Sequence, residues 1–210
     1  MTAGRLGEIL FENAARRGLD PGEGGEADAF RLIRDLPYGR PTGTAIDAPI
    51  LEWRGTCSGK HMLLGAVLDE FGLRSRMMIA TYRFSWTLPG PVPTPLVPIL
   101  ESGPVPDVHN FLSVTWDGAR FHAVDATWPK GGRTLGLVVN DWSPGRDHVV
   151  ACTKPYEAWA LPPGHDLREE KQRILARHCG ADLARREAFI EALAAWLETA
   201  PYPPASRDEA

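Results

Sequence analysis

Hydrophobic residues recur every three or four positions in five stretches of this chain, which is the spacing of helices that bury one face. The third of these predicted helices begins near Cys57 and ends at Gly72, a residue type that often terminates a helix. Near the C-terminus, Asp166 and Glu169 form a capping-box signature at the start of the fourth helix. The predicted buried faces contain Leu6, Ile9, Leu10 and Ala14; Phe30, Ile33 and Leu32 or Leu36; Leu64, Val67, Leu68 and Phe71; and Leu183, Phe189, Ile190, Leu193 and Leu197.

Strands are predicted in the middle of the chain. Residues 76–84 are apolar on both alternating faces, which indicates a central strand, and apolar runs at 134–142 and 148–152 indicate short strands that extend the sheet. Together with the flanking helices, this pattern predicts an α+β fold. In it the Cys57 helix packs on an antiparallel sheet, and extra helices lie at the N- and C-terminal ends.

A predicted hairpin decides which polar side chains meet. Its two strands are 109–116 and 120–127. Gly118 in the turn suits the left-handed position of a three-residue loop. A loop with an odd number of residues puts odd-numbered residues of both strands on one face, so that His109 and Asp125 come within reach and His122 points the other way. An even loop would separate His109 from Asp125; the glycine favours the odd register.

Two segments rich in glycine and proline interrupt the regular elements. Residues 35–49 are predicted to form an irregular loop from which Tyr38 and Arg40 project. Such a loop lines a substrate cleft or is a surface turn with a packed tyrosine, and the sequence leaves both open. Residues 85–108 are so rich in proline that we expect no helix or strand there, and a stiff loop of this length favours a cleft-lining role.

Composition narrows the class of protein. The 210 residues are 43% hydrophobic, enough for one domain, which we expect over residues 1–200 with its core at about 38–152 and a flexible tail at 201–210. A net charge of −4 without a basic run argues against nucleic acid or an anionic membrane as the main partner. No apolar run approaches a bilayer span and charges interrupt the N-terminal pattern, so a cytoplasmic protein is expected. Three cysteines without a paired motif fit reduced thiols.

Cys57 has the sequence context of a reactive thiol. In the first turn of a helix, free backbone N–H groups and the helix dipole stabilise a thiolate, which lowers the thiol pKa from about 8.5 towards neutrality. The small polar neighbours Thr56 and Ser58 argue against the alternative that Cys57 is a small core residue. Lys60 and His61 could add local positive charge, although solvated first-turn residues are the more common role.

A nucleophile, a base and an orienting carboxylate occur in the order Cys57, His109, Asp125. In such a site His109 takes the proton of Cys57 and later protonates a leaving amine, whereas Asp125 fixes the imidazole tautomer. The backbone N–H of Cys57 would supply one oxyanion donor. The candidates for substrate binding or for a second oxyanion donor are Trp53, Tyr38, Arg40 and Asn110.

Three segments carry a resemblance to a known family. GTCSGKHMLLGAVLDEFGLRSR, PDVHNFLSV and FHAVDATW resemble the three-motif core of the transglutaminase-like superfamily, whose papain-like fold is shared with peptide N-glycanases. PYGR and GTCSGKH are also similar to a bacterial subset of that superfamily. The resemblance covers about residues 38–129. It implies a cysteine hydrolase or acyltransferase that forms a thioester with a peptide or small amide and passes the acyl group to water or an amine.

Two departures limit what the resemblance implies. The Gly-Gln-Cys-Trp motif of the animal cross-linking enzymes is replaced by GTCS, and papain's Cys-Gly-Ser-Cys-Trp is absent, so cross-linking of protein glutamines is not implied. No acidic loop resembles a calcium site, and we expect neither a metal nor another cofactor.

Two alternatives to this enzyme remain. One is a non-catalytic binding or scaffold module that keeps the fold. The other is a metal site formed by His109, His122, His148 and Asp125. The predicted register argues against the metal site because it puts His122 on the opposite face, and His148 and Cys152 are expected to be structural.

Overall fold

The computed structural model describes residues 4–87, 91–154 and 156–199, and the predicted tail at 201–210 lies outside them. Its helices are α1 (Arg5–Arg16), α2 (Glu26–Asp35), α3 (Ala48–Leu51), α4 (Cys57–Glu70), α5 (Val97–Leu100), α6 (Leu167–Cys179) and α7 (Leu183–Thr199). Its strands are β1 (Arg74–Phe84), β2 (Val105–Thr115), β3 (His122–Val124) and β4 (Tyr156–Ala160). The fold is α+β, with one antiparallel sheet in the order β3-β2-β1-β4. Over the described ranges, no helix has both the length and the apolar character to cross a membrane.

The helix that begins at Cys57 is central to the fold. It packs on β1 and β2, while α1 and α2 cover its outer side. Its predicted apolar face is buried in the main core. The helix ends at Glu70. Gly72 follows it with a φ of 79° and donates its N–H to Asp69 O, while Leu73 donates to Leu68 O. This Schellman motif confirms the stop that the glycine predicted.

The hairpin has the odd register. Leu112 pairs with Val124 and Val114 with His122, so residues of the same parity face each other. Continuing this pairing brings Asp125 diagonal to His109 on the neighbouring strand. At 122–124, β3 is shorter than the predicted strand 120–127, because Asp117 Oδ1 accepts the N–H groups of Ala119 and Arg120 and closes the turn.

The proline-rich segment is more regular than predicted. Residues 94–96 form a 3₁₀ turn and α5 follows it, so the expectation of no helix there is wrong. Pro95 and Pro98 occupy first-turn positions, where a missing N–H costs no helical hydrogen bond. Strand β2 also begins earlier than expected, at Val105. Residues 88–90 of the segment lie outside the described part.

The two short strands predicted at 134–142 and 148–152 are absent from the described structure, and that prediction is wrong. Their backbone is held by a side chain instead, because Asn140 both accepts from Val149 N and donates to Val149 O. The fourth strand is β4, which pairs with β1 at the other edge of the sheet. Its sequence, YEAWA, is short and partly polar, so the hydrophobic pattern did not predict a strand there.

The C-terminal helices cover two further parts of the sheet. Asp166 caps α6 by accepting the N–H groups of Arg168 and Glu169, which confirms the predicted helix start. The apolar face of α6 packs with Ile79 and Val108, and α7 packs with the segment that includes Val105. Both helices thereby contact β2.

Candidate active site

Cys57 is the first residue of α4 and is buried. The chain reaches it through a close turn at Gly55, where a side chain would not fit because a Cβ atom would lie 2.8 Å from Lys60 Cγ. An isolated bridge joins Gly55 to Tyr38. Thr56 makes no side-chain cap, so the first N–H groups of the helix are not occupied by a capping side chain.

The three residues of the predicted triad, Cys57, His109 and Asp125, lie in one buried region. His109 Nε2 donates to Asp125 Oδ2 at 2.8 Å, and the Cys57 thiol is close enough to His109 for each to shift the pKa of the other. Because Nε2 is occupied by the carboxylate, Nδ1 is the nitrogen available to the thiol. All three residues are buried.

The Asp125 carboxylate is fully saturated with donors. Oδ2 also accepts the Ala151 N–H at 2.8 Å, and Oδ1 accepts both the N–H and the hydroxyl of Thr127. The backbone N–H of Asp125 donates to His148 Nδ1 at 3.1 Å. These contacts fix the carboxylate in one orientation, so His148 has the structural role that was expected of it.

The charged forms of Cys57, His109 and Asp125 stabilise one another. Burial opposes an ionised thiol, but the Lys171 ammonium and His109 overcome it and lower the Cys57 pKa to about 6. Burial also opposes a charged imidazole, but the Asp125 and Cys57 charges raise the His109 pKa to about 10. Despite burial, His109 holds the pKa of Asp125 well below its usual range. A thiolate–imidazolium pair is therefore the favoured state near neutral pH.

Lys171 on α6 is a second cation at the sulfur, and the sequence prediction missed it. Its Nζ lies 3.6 Å from Cys57 Sγ and donates to Ser58 Oγ at 2.8 Å and to Asn110 Oδ1 at 2.9 Å. Ser58 Oγ in turn donates to Asn110 Oδ1 at 2.8 Å. Two ammonium hydrogens are thus held by neutral oxygens, and the third is directed at the sulfur.

Lys60 and His61 are not solvated first-turn residues, and that expectation is wrong. Both are fully buried. Lys60 Nζ donates to the carbonyls of Arg34 and Thr127 at 2.8 and 2.9 Å, and burial lowers its pKa to about 7. Their partners are distant in the chain and are brought to these side chains only by the fold.

His61 connects the start of α4 to the segment that carries the carboxylate. Its Nε2 accepts the Ala126 N–H at 2.8 Å, so Nδ1 carries the proton and donates to Cys57 O at 2.7 Å. Burial lowers the His61 pKa to about 4, which keeps this ring neutral at pH 7. The histidine therefore ties the start of α4 to the residue next to Asp125.

Of the four predicted binding residues, two line the site. Tyr38 packs against Trp128 and lines both cavities at Cys57, and burial raises its pKa so that it stays protonated. Arg40 lines the larger cavity and pairs with Glu187 at 3.1 Å.

The other two predictions are not supported by the positions of the side chains. Trp53 packs against the helical core with Arg17 over its ring, away from both cavities. It adopts a left-handed φ of 50° in the turn before Cys57. Asn110 is fully buried, and its amide donates to Met78 O, so it orients Lys171 and Ser58 instead of binding substrate.

Two cavities meet at Cys57. The larger is a cleft of about 490 Å³ between the 40–49 loop and α6, and the smaller has a volume of about 110 Å³ and extends along His109 towards Cys152. Burial raises the Cys152 pKa to about 12, so this second thiol remains unreactive. Among the residues that the structure describes, no three or more histidine, cysteine or acidic side chains form a group that could hold a metal ion.

Comparison with known proteins gives one weak structural similarity. The solved structure of M. smegmatis arylamine N-acetyl transferase matches with a TM-score of 0.31 and 24% sequence identity. The match covers 55% of this chain and 44% of that protein. A TM-score of this size is too low to assign a fold or an activity. No protein-family model and no curated protein matches the chain.

Proposed function

We propose that this protein is a cysteine-dependent acyltransferase or hydrolase that acts on an amide-type bond through a thioester on Cys57. The observation that carries the proposal is the hydrogen bond between His109 Nε2 and Asp125 Oδ2, which leaves Nδ1 for the thiol at the end of an accessible cleft. The three-motif resemblance to the transglutaminase-like superfamily and its papain-like core points to the same chemistry. The substrate is a peptide or a small amide.

The first half of the reaction forms the thioester. The Cys57 thiolate attacks the amide carbonyl carbon, and the new S–C bond gives a tetrahedral oxyanion. His109 then donates its Nδ1 proton to the amine nitrogen as the C–N bond breaks. In the second half, the neutral imidazole takes a proton from water or an acceptor amine, which attacks the thioester and regenerates the thiolate.

Two groups are suited to stabilise the oxyanion. The backbone N–H of Cys57 is the first of α4 and points out of the helix start, where the dipole favours negative charge. Tyr38 lines both cavities and its hydroxyl remains protonated, which makes it the candidate for the second donor. Tyr38→Phe is expected to slow acylation by about 10- to 100-fold, a little less than the loss of a strong oxyanion donor.

The alternative of a non-catalytic binding module has no observation in its favour. Such a module has no need for a depressed thiol pKa, a saturated orienting carboxylate and a second cation at the sulfur. A filled or blocked cleft would have favoured it, whereas a cleft of about 490 Å³ begins at Cys57.

Alkylation with iodoacetamide at pH 7 tests the nucleophile. Cys57→Ala should abolish rapid labelling, whereas Cys152→Ala, which removes the other thiol at the smaller cavity, should leave it unchanged. His109→Ala should slow labelling about tenfold or more, because the thiolate loses one of its two stabilising cations. Equal labelling of the wild type and the His109 variant would contradict the mechanism.

Turnover requires a separate measurement. Incubation with a library of peptides and small amides, followed by mass spectrometry, should reveal an acyl adduct on Cys57 that is absent from Cys57→Ala. The mass added to Cys57 in that adduct would identify the acyl group of the donor. An unmodified Cys57 across a broad library, in protein that iodoacetamide still labels, would favour the binding module.

A further inference from the structure

Helix α6 gives the larger cleft a cationic wall. Lys171 and Arg168 are three positions apart and lie on the same side of the helix, and both line the cleft beside Cys57. Within the described residues, neither forms an ion pair with a carboxylate. Arg168 donates to the Thr44 carbonyl, and the oxygen acceptors of Lys171 are neutral.

The other charged residues of the cleft lining are electrically balanced. Glu187 is the carboxylate among the residues that line this cleft, and it contacts Arg186 at 2.7 Å and Arg40 at 3.1 Å. Arg186 also binds Asp107 at 2.7 Å. Two carboxylates and two guanidinium groups therefore compensate each other, and the unbalanced positive charge of the cleft belongs to α6.

Acylation removes the anion that Lys171 faces. In the resting site the third ammonium hydrogen points to the Cys57 sulfur. When the S–C bond forms and the His109 proton leaves with the amine, the thioester sulfur is neutral while Lys171 keeps its charge. A half-buried cation with an unmatched N–H is unfavourable, so an anionic acceptor on the acyl group would stabilise the acyl-enzyme.

The geometry points to acyl donors whose acyl group carries a carboxylate, with Lys171 as the residue that binds it. This inference rests on the proposed function. A charge-assisted hydrogen bond of about 2.8 Å to Nζ places the carboxylate oxygen no more than about 6.4 Å from the sulfur. With carbon–carbon bonds of about 1.5 Å, that reach corresponds to a short dicarboxylic acyl group of about three or four carbons. Arg168 adds to the positive potential one turn earlier.

The same contact helps the product to leave. Hydrolysis of the thioester regenerates the thiolate, which competes with the product carboxylate for the Lys171 ammonium. Two negative groups then face one cation, and their repulsion favours release. A neutral acyl group would gain neither the stabilisation after acylation nor this release step.

Alkylation with two probes tests the inference without the substrate. Iodoacetate and iodoacetamide have the same reactive carbon and similar size but differ in charge. Both react with the thiolate, so the ratio of their rate constants does not depend on the fraction of Cys57 that is ionised. We expect Lys171→Met to lower the iodoacetate-to-iodoacetamide ratio by about 5- to 10-fold, because it removes the cation closest to the sulfur.

Two further variants act as controls. Lys171→Arg keeps the charge and should retain most of the wild-type ratio. Arg177→Met removes a charge from an exposed position of the same helix outside the cleft, and it should leave the ratio unchanged. A wild-type ratio in Lys171→Met, or an equal decrease in Arg177→Met, would overturn the inference. Thermal unfolding of each variant establishes that it is folded.

Acyl donors provide the second part of the test. The para-nitroanilide of succinate carries a carboxylate on the acyl group, and the para-nitroanilide of butyrate does not. Similarly, para-acetamidobenzoate carries a carboxylate on the leaving amine, and acetanilide does not. Formation of acyl-Cys57, followed by mass spectrometry, should be faster from the succinyl donor than from the butyryl donor, and Lys171→Met should remove that advantage. A Lys171-dependent preference for para-acetamidobenzoate over acetanilide instead would place the anion on the leaving group and overturn the inference.

The two proposals fail in different ways. If iodoacetamide labelling does not depend on His109, the cysteine mechanism itself is wrong. If that dependence holds but the probe ratio and the succinyl preference do not respond to Lys171→Met, the mechanism stands and the inference about the acyl group is wrong.

Discussion

Replacing Lys171 with methionine should raise the pKa of the Cys57 thiol. The ammonium nitrogen lies 3.6 Å from the sulfur, and at that distance two unit charges attract by about 1 kcal/mol in water and by about 4 to 5 kcal/mol at an effective dielectric constant near 20. Lys171 is half-buried, so the true value lies between these limits. Since one pKa unit corresponds to about 1.4 kcal/mol, the thiol pKa should rise by about 1 to 3 units.

The sign follows from which form the lysine stabilises. A cation favours the thiolate over the thiol, so its removal raises the pKa from the value of about 6 and lowers the thiolate fraction at pH 7. A pKa between about 7 and 9 reduces the rate of alkylation at pH 7 by about 2- to 90-fold. At high pH, where the thiol is ionised in both proteins, the two rates should converge.

The assay is the rate of iodoacetamide labelling as a function of pH, supported by the ultraviolet absorbance of the thiolate. Methionine preserves most of the apolar stem of lysine, and Arg177→Met controls for the loss of a charge elsewhere on α6. His109→Ala provides a useful comparison because it removes the other cation. If Lys171→Met and the wild type show the same midpoint, the ammonium does not interact with the sulfur and the geometry assigned to the site is wrong.

Three further predictions concern the groups that support the thiol. Asp125→Asn should slow acylation by about 10³- to 10⁴-fold, measured by adduct formation, because an amide no longer holds the imidazole tautomer; a loss below tenfold would contradict this role. Lys60→Met should lower the free energy of unfolding in urea by about 1 to 3 kcal/mol, because two buried carbonyls lose a donor, whereas the exposed Lys154→Met should have an effect within about 0.5 kcal/mol. The low pKa of His61 means that the unfolded chain binds a proton that the folded one does not. The contribution of His61 to stability should therefore decrease as the pH falls from about 6.5 to 4. His61→Gln should lack that part of the pH dependence. Superimposable profiles of unfolding free energy against pH for His61→Gln and the wild type would contradict this expectation.

The sequence identified the elements whose local signals are strong. The periodicity before Gly72 and the Asp166 cap gave α4 and the start of α6, and the glycine in the hairpin gave the register that brings His109 to Asp125. These features depend on residues close together in the chain. Register is especially informative, because a shift by one residue would have moved every side chain of the strand to the other face.

Elements held by side chains were less predictable. The apolar run before Asn140 reads as a strand, but the Asn140 amide binds Val149 on both its N–H and its C=O, so the segment is fixed without a ladder. Near it, the Ala151 N–H donates to the Asp125 carboxylate. The segment is therefore used to hold the carboxylate, a role that propensity and alternation do not encode.

Lys171 could not be assigned to the site from the sequence, although the sequence contains a signal that its side chain needs a partner. The lysine lies four positions after Leu167 and three before Ile174, so it is on the face of α6 that packs against the sheet. A lysine at such a position needs oxygen acceptors or an anion, because burying an unpaired ammonium is costly. Periodicity can therefore flag Lys171 as a residue with an unknown partner. Its partner is a sulfur 114 residues earlier in the chain, and only the packing of α6 beside the start of α4 brings the two together.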